Sequence, residues 1–249
     1  TLERNLAHLI EVEDRLTREP SGKPVIRRIR RIGALVLDEK VVGAPDRATM
    51  TAALKAEIET DGLGALNWGE QARALRARLA FLRGLDEAWP DISDEGLLAS
   101  REDWLWPLLD GARSLADISD GRLAEALRGL IPWDLQRKLD DLAPTRLTTP
   151  LGSASIDYAA EGGPRVEIRV QELFGVKTHP TVGGGRAPLT LSLLSPARRP
   201  VQVTKDLPGF WAGSWSAVRS EMRGRYPRHP WPEDPANATA TSRTKPRGT

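Results

Sequence analysis

Hydrophobic positions divide the chain into stretches of different periodicity. Residues 25–42 are rich in Val, Ile and Leu and predict extended structure. Residues 46–145 carry leucines at helical spacing and predict a helical region. Residues 146–218 alternate between apolar and polar side chains, as strands with one exposed face do. The pattern therefore predicts an α+β fold in which a β part, a helical part and a mixed part follow one another.

The first β stretch is charged at one end and apolar at the other. Successive side chains of a strand point to opposite faces, so four closely spaced arginines fall on both faces, and neither face can be fully buried there. The next residues, 34–37, are apolar and predict burial on both faces. This arrangement is typical of a small β-barrel with a charged rim. The arginines of this rim are Arg27, Arg28, Arg30 and Arg31.

The helical region has recognisable boundaries and a leucine stripe. Asp46 predicts the start of a helix and Gly62 its end. Leu75, Leu79 and Leu82 then recur at helical spacing, and the arginines among them are predicted to lie elsewhere around the helix. Four tryptophans punctuate the region and are predicted to pack its helices together: Trp89, Trp104, Trp106 and Trp133.

The third stretch ends in a basic, proline-rich segment. We expect a helix over residues 207–223 and disorder beyond residue 235. Seven basic and three acidic side chains lie in residues 219–249, whereas the whole chain has a net charge of only +2. Such a basic excess fits either contact with nucleic acid or a solubilising tail. Its arginines alternate with aromatic side chains, which either stack on unpaired bases or form the core face of the helix.

Composition limits the classes of function. The 249 residues contain no Cys, so disulfides and thiolate chemistry are excluded. No apolar run approaches the roughly 20 residues of a membrane span, and no secretory signal opens the chain. We expect a cytoplasmic protein. Because the first residue is Thr1, the sequence also fits a piece of a longer protein.

Catalytic motifs are not evident. The one glycine-rich loop, residues 183–186, lacks the Lys-Ser/Thr ending that holds a nucleotide triphosphate, although Arg186 could contact a phosphate. The three histidines are not spaced as metal ligands. We therefore predict no catalytic residue, no metal site and no ATP hydrolysis by this chain.

Several long segments resemble the C-terminal part of the HrpB-type DExH-box ATP-dependent RNA helicases. The resemblance begins near residue 25 and is carried by residues 62–68, 150–153, 169–175, 188–207 and 209–235. It implies that two RecA-like domains precede this region and bind ATP and Mg²⁺, so that no cofactor is expected on this chain. It further implies a partial OB-like β module (1–45), a helical connector (46–145) and a small α+β C-terminal domain (146–235), to which the composition adds a basic disordered tail (236–249).

The combined prediction is an accessory region that binds RNA or another single-stranded nucleic acid beside the upstream core. The residues proposed for this contact are Arg27, Arg28, Arg30, Arg31, Arg186, Arg223, Arg225 and Arg228. The alternative is a protein–protein docking module whose contact surface surrounds Trp211 and Trp231. An independent hydrolase is the weakest hypothesis, because no spacing of ionisable groups implies a catalytic site.

Overall fold

A computed structural model describes residues 7–244 of the chain, which form two compact units. The first unit contains the residues up to Gly69 together with Leu97–Ala126, and the second contains Glu70–Gly96 and the residues from Leu127 onward. The predicted helical region therefore supplies helices to both units. The division into consecutive modules at residues 45, 145 and 235 stays a prediction.

The β part of the first unit is a three-stranded antiparallel sheet in the order β1-β2-β3. Its strands are β1 (Glu11–Arg18), β2 (Pro24–Ile32) and β3 (Leu35–Gly43). The predicted extended stretch is thus a hairpin, which turns at Gly33 with a φ of 56°. The predicted burial of residues 34–37 was wrong: Leu35 and Val36 are 65% and 54% exposed, because no second layer covers them among the described residues.

The helical region begins as the sequence predicts, with α1 capped by the Asp46 side chain and ended at Gly62. Its helices are α1 (Arg47–Asp61), α2 (Glu70–Leu85), α3 (Asp94–Ala99), α4 (Arg101–Trp104), α5 (Trp106–Leu109), α6 (Asp120–Gly129), α7 (Trp133–Gln136) and α8 (Leu139–Leu142). No helix within residues 7–244 is long and apolar enough to cross a membrane.

Two predictions about this region need correction. Trp133 does not pack between helices but is 73% exposed, because it opens the one-turn helix α7 while Ile131 and Leu135 take the buried positions. Arg78 does not lie away from the leucine stripe but is only 5% exposed. It stands three residues after Leu75, a spacing that places both side chains on one helix face.

The second unit contains a five-stranded sheet in the order β10-β9-β6-β5-β4. Neighbouring strands are antiparallel except β6 and β9, which are parallel. The strands are β4 (Arg146–Thr149), β5 (Gly152–Asp157), β6 (Arg165–Arg169), β9 (Thr190–Leu194) and β10 (Pro200–Thr204), and a separate pair comprises β7 (Thr181–Val182) and β8 (Ala187–Pro188).

One face of this sheet carries the core of the unit. Val166, Ile168 and Leu191 are at most 3% exposed, whereas the alternate residue Glu167 is exposed, so the predicted one-sided burial is confirmed. The predicted helix over residues 207–223 is divided at Gly213. Its two parts are α9 (Leu207–Ala212) and α10 (Trp215–Arg225), and both contribute buried side chains to this core.

The segment after residue 235 corrects the prediction of disorder. Ala240 is 8% exposed within the core of the second unit, and the Thr241 amide donates a hydrogen bond to the Gln171 carbonyl at 3.3 Å. The prediction failed because it relied on polar composition, while two small alanines, Ala238 and Ala240, fit against the core. Residues 245–249, where the tail was also predicted to be disordered, lie outside the described residues.

Candidate nucleic-acid interface

The four predicted rim arginines lie on β2, the central strand of the three-stranded sheet. Strand alternation places Arg27 and Arg31 on one face and Arg28 and Arg30 on the other. All four are partly or fully accessible to solvent, as the sequence predicts. The structure therefore brings them together on one strand but divides them between two surfaces.

Carboxylates of the neighbouring strands neutralise three of these arginines. Arg28 donates from Nε and Nη2 to the two carboxylate oxygens of Asp14, both at 2.7 Å. Similar ion pairs join Arg31 to Glu11 at 3.0 Å and Arg27 to Glu39 at 3.4 Å. Sequence reasoning missed these acids, because the register that sets Asp14 opposite Arg28 is a property of the folded hairpin.

The Asp14–Arg28 pair also shifts the pKa of both groups. The hydrogen bond from Arg28 holds the pKa of the Asp14 carboxyl below its usual value, and the same bond raises the pKa of Arg28. Arg30 differs from the other three, because it forms no ion pair with any residue in the described range. Arg30 is thus the rim arginine that is most readily available to an external phosphate.

Hydrogen bonds hold the glycine-rich loop, residues 183–186, against the end of α2 and against α8. The Gly183 amide donates to the Leu142 carbonyl at 2.6 Å, so this amide is not directed toward an open nest. Arg186 donates from Nε to the Gly183 carbonyl at 2.8 Å and from Nη1 to the Leu85 carbonyl at 3.2 Å. The guanidinium of Arg186 therefore holds the loop at the end of α2, and its contact with a phosphate stays a prediction.

The remaining predicted arginines lie at and beyond the end of α10 and are exposed. Arg225 pairs with Glu221 one helical turn earlier, at 3.1 Å. Arg223 and Arg228 form no ion pair within residues 7–244. Burial together with the positive charges of Arg169 and Arg228 lowers the pKa of His229, so the imidazole beside them favours its neutral form.

The aromatic side chains near these arginines belong to the core. Trp215 and Trp231 are 2% and 7% exposed, their ring centroids are 6.3 Å apart, and Trp211 packs partly buried against them. Their indole nitrogens donate to backbone carbonyls, for example from Trp231 to Tyr226 at 2.9 Å. Phe210 and Trp215 are buried and Trp211 is partly buried, so the alternative that these aromatic rings form the core face of the helix is confirmed. The Trp231 ring is buried as well, and the docking surface near Trp211 stays a prediction.

A second group of arginines, which the sequence analysis did not single out, lies on the bare face of the five-stranded sheet. Arg146, Arg165, Arg169 and Arg198 line one groove there. The charged residues Arg165, Glu167 and Arg169 alternate with apolar residues, a pattern that predicts only the exposed face of a strand. Arg146 and Arg198 lie far from this strand in the sequence, so nothing in the sequence indicated that they line the same groove.

Comparisons with known proteins agree on one family. The family model described as "ATP-dependent helicase C-terminal" (HrpB_C) matches residues 104–235, more than half of the chain. The chain belongs to the HrpB helicase family. It is 43% identical over 222 residues, 88% of its length, to the "ATP-dependent RNA helicase HrpB" of Escherichia coli strain K12, and it spans 27% of that protein.

Two solved structures of E. coli HrpB share the fold. The structure described as a DExH-box NTPase superposes with a TM-score of 0.76 at 39% identity, covering 98% of this chain and 31% of that protein. The structure described as a DEAH/RHA helicase gives a TM-score of 0.63 at 37% identity, with 90% and 29% covered. The chain thus corresponds to the C-terminal part of HrpB and spans under a third of its length.

Proposed function

We propose that this chain is an accessory region of an ATP-dependent RNA helicase and binds single-stranded RNA beside the helicase core. Its similarity to the E. coli RNA helicase over 88% of its length carries the proposal. In this proposal the RecA-like core upstream binds ATP and Mg²⁺ and hydrolyses the nucleotide in the cytoplasm. In this proposal the chain itself holds and orients the strand.

The three-stranded sheet supports an OB-like module as part of this function. Val12, Leu35, Val36 and Val41 are between 46% and 65% exposed. The register places Val12 beside Arg30 on one face and Val36 and Val41 beside Arg31 and Arg27 on the other. Further strands from the preceding polypeptide would complete a barrel and cover the apolar side chains of one face. In that barrel β2 would present Arg30 and its neighbours to the RNA backbone, as OB folds combine a basic groove with accessible strands.

Binding of a fluorescent single-stranded RNA of mixed sequence to the full 249-residue chain tests this function. Replacing all four rim arginines by Ala should weaken binding and reduce the slope of log affinity against log salt concentration, because each lost phosphate contact removes about 0.7 from that slope. Asp14→Asn should have the opposite effect, since it releases Arg28 from its carboxylate partner. Equal affinity for all three proteins would refute the assignment to β2.

The docking alternative is supported by the same exposed apolar residues. If a protein surface rather than RNA is the ligand, Val36→Ser and Val41→Ser should weaken capture of the separately expressed helicase core, and nuclease treatment should leave that capture intact. If RNA bridges the two chains, nuclease should abolish capture. The two functions therefore give opposite results in one pull-down experiment.

A further inference from the structure

The bare face of the five-stranded sheet holds a polar groove of about 670 Å³. Its four arginines come from separate parts of the fold: Arg146 from β4, Arg165 and Arg169 from β6, and Arg198 from the turn between β9 and β10. None of them belongs to the predicted rim. The fold therefore gathers guanidinium groups here that are up to 52 positions apart in the sequence.

These guanidinium groups are largely free of carboxylate partners. Within residues 7–244, only Arg169 has a carboxylate within 4.0 Å, that of Glu172 at 3.9 Å. The rim arginines of β2 contrast with them, because most of those are paired at 3.4 Å or less. Four carboxylates also line the groove, but only that of Glu172 lies within 4.0 Å of one of these arginines, so most of the guanidinium groups remain available to an external anion.

Arg146 is held in place by neutral groups. Its Nε donates to the Ser153 hydroxyl at 2.6 Å, its Nη1 to the Ser155 hydroxyl at 3.1 Å and its Nη2 to the Ser153 carbonyl at 2.8 Å. Serine fixes the orientation of the guanidinium without cancelling its charge. Less side-chain entropy is then lost when the group binds an anion.

Two other arginines have unsatisfied donors. The Nε atoms of Arg165 and Arg169 are buried and have no acceptor among the described residues. A buried donor without a partner costs about 1–3 kcal/mol. These Nε atoms are closed to solvent, so an oxyanion in the groove would contact the outer nitrogens of the same planar guanidinium groups.

Arg198 occupies a strained backbone position. Its φ of 59° makes it the non-glycine residue with positive φ in the described part of the chain. The turn is closed by hydrogen bonds between Ser195 and the residues 198 and 199. Glycine would adopt this conformation without steric cost, so an arginine here gains nothing for the turn itself. Its side chain lines the groove, so we attribute the arginine at this position to the groove and not to the turn.

The groove continues along the protein surface. A neighbouring groove of about 540 Å³ shares Arg146, Ser155 and Asp157 with the first and brings in Arg73, which has no ion pair among the described residues. Because the two grooves share lining residues, they adjoin, and we call the combined surface the track. An extended polymer fits such a track better than a single small anion does.

We propose that this track binds the phosphate backbone of single-stranded RNA, as a second contact in addition to the β2 rim. The ligand class rests on the proposed function, while the location is independent of it. Five carboxylates also line the track and oppose a polyanion, which keeps binding weak: Glu70, Asp157, Glu161, Glu167 and Glu172. Weak contact suits a surface along which a strand has to move.

The test measures binding of the 249-residue chain to a fluorescent RNA of about 12 nucleotides, a length that such surfaces span. The loss variant combines Arg146→Ala, Arg165→Ala and Arg198→Gly. It should weaken binding about tenfold or more at low salt and reduce the salt slope by about 2, from three lost contacts of about 0.7 each. A matched control removes three exposed positive charges that lie outside the track and outside the basic C-terminal segment: Arg128→Ala, Arg137→Ala and Lys138→Ala.

A second variant, Glu167→Gln, removes a carboxylate from the track and should strengthen RNA binding at least twofold. Misfolding cannot explain such a gain, because an unfolded chain would not bind more tightly. The track assignment is overturned if the loss variant binds like the matched control while the β2 variant loses affinity; the proposed function then stands. Wild-type protein without salt-dependent RNA binding overturns both. Unchanged RNA affinity with weaker capture of the helicase core would make the track a protein contact and reject the proposal.

Discussion

Arg78 supports a sharp prediction about the stability of the second unit. Its Nε donates to the Ala143 carbonyl at 2.6 Å, and its Nη2 donates to the Leu139 carbonyl at 3.4 Å and to the Asp140 carboxylate at 2.5 Å. The Leu139 carbonyl begins α8 and already accepts the Ala143 amide at 2.9 Å. The Ala143 carbonyl lies just beyond the end of α8, where a helix leaves acceptors without intrahelical partners. A buried cation thus satisfies a helix end that leads directly into β4.

The energy follows from where each partner lies. Arg78→Met keeps the volume of the side chain but removes a charged donor from the buried Ala143 carbonyl, so we expect it to reduce the free energy of unfolding by roughly 1.5–3 kcal/mol. Asp140 has a side chain that is 80% exposed, so Asp140→Asn should cost less than about 1 kcal/mol. For a unit of this size the first change lowers Tm by at least about 3 °C.

Thermal and urea unfolding, followed by circular dichroism, measure both changes. Arg78→Lys is the matched control, because it retains the charge but lacks the fork that reaches two carbonyls; its stability should lie between those of the wild type and Arg78→Met. If Asp140→Asn destabilises the protein as much as Arg78→Met does, the energy resides in the ion pair and the argument from the helix end is wrong. A loss below about 1 kcal/mol for Arg78→Met would refute it as well.

Two further predictions concern single positions. Gly183→Ala should destabilise the second unit, because the added Cβ would lie 2.5 Å from Leu85 Cδ1 and φ is 65°; a melting temperature equal to that of the wild type would contradict this. Hydrogen bonds from the Arg113 amide and the Ser114 hydroxyl lower the pKa of Asp117, so its stabilising effect is complete above the ordinary carboxyl pKa of 3.8 and is lost as pH falls through the lower folded value. Asp117→Asn should therefore flatten the acid limb of a plot of Tm against pH, and an unchanged limb would rule out this linkage.

Local sequence patterns predicted the helices and strands better than they predicted which residues are buried or in contact. Asp46 and Gly62 mark the ends of α1 because capping depends on a few adjacent residues. The burial of Leu35 and Val36 was predicted wrongly because burial depends on what covers a strand, and composition does not reveal the covering layer. Arg78 shows a third case: its spacing from Leu75 indicated the buried face, but its charge suggested the opposite.

For the candidate interface too, the sequence indicated some of the residues but not the contacts that they make in the fold. The sequence identified the four β2 arginines, but their neutralisation by Asp14, Glu11 and Glu39 depends on strand register. The arginines of the C-terminal track were missed because β4, β6 and the turn after β9 meet only in the folded sheet. Long-range convergence of this kind has no signature in a single sequence.

The uncovered three-stranded sheet has a consequence for handling this region as a separate polypeptide. Strand β3 is an edge strand with four exposed apolar side chains, Leu35, Val36, Val41 and Val42. Unpaired edges of this composition are templates for intermolecular β-pairing. The acidic and basic residues 38–40 interrupt the apolar run and act as gatekeepers against aggregation. Neutralising the charges of residues 38–40 would therefore reduce solubility without changing the contacts within the five-stranded sheet of the second unit.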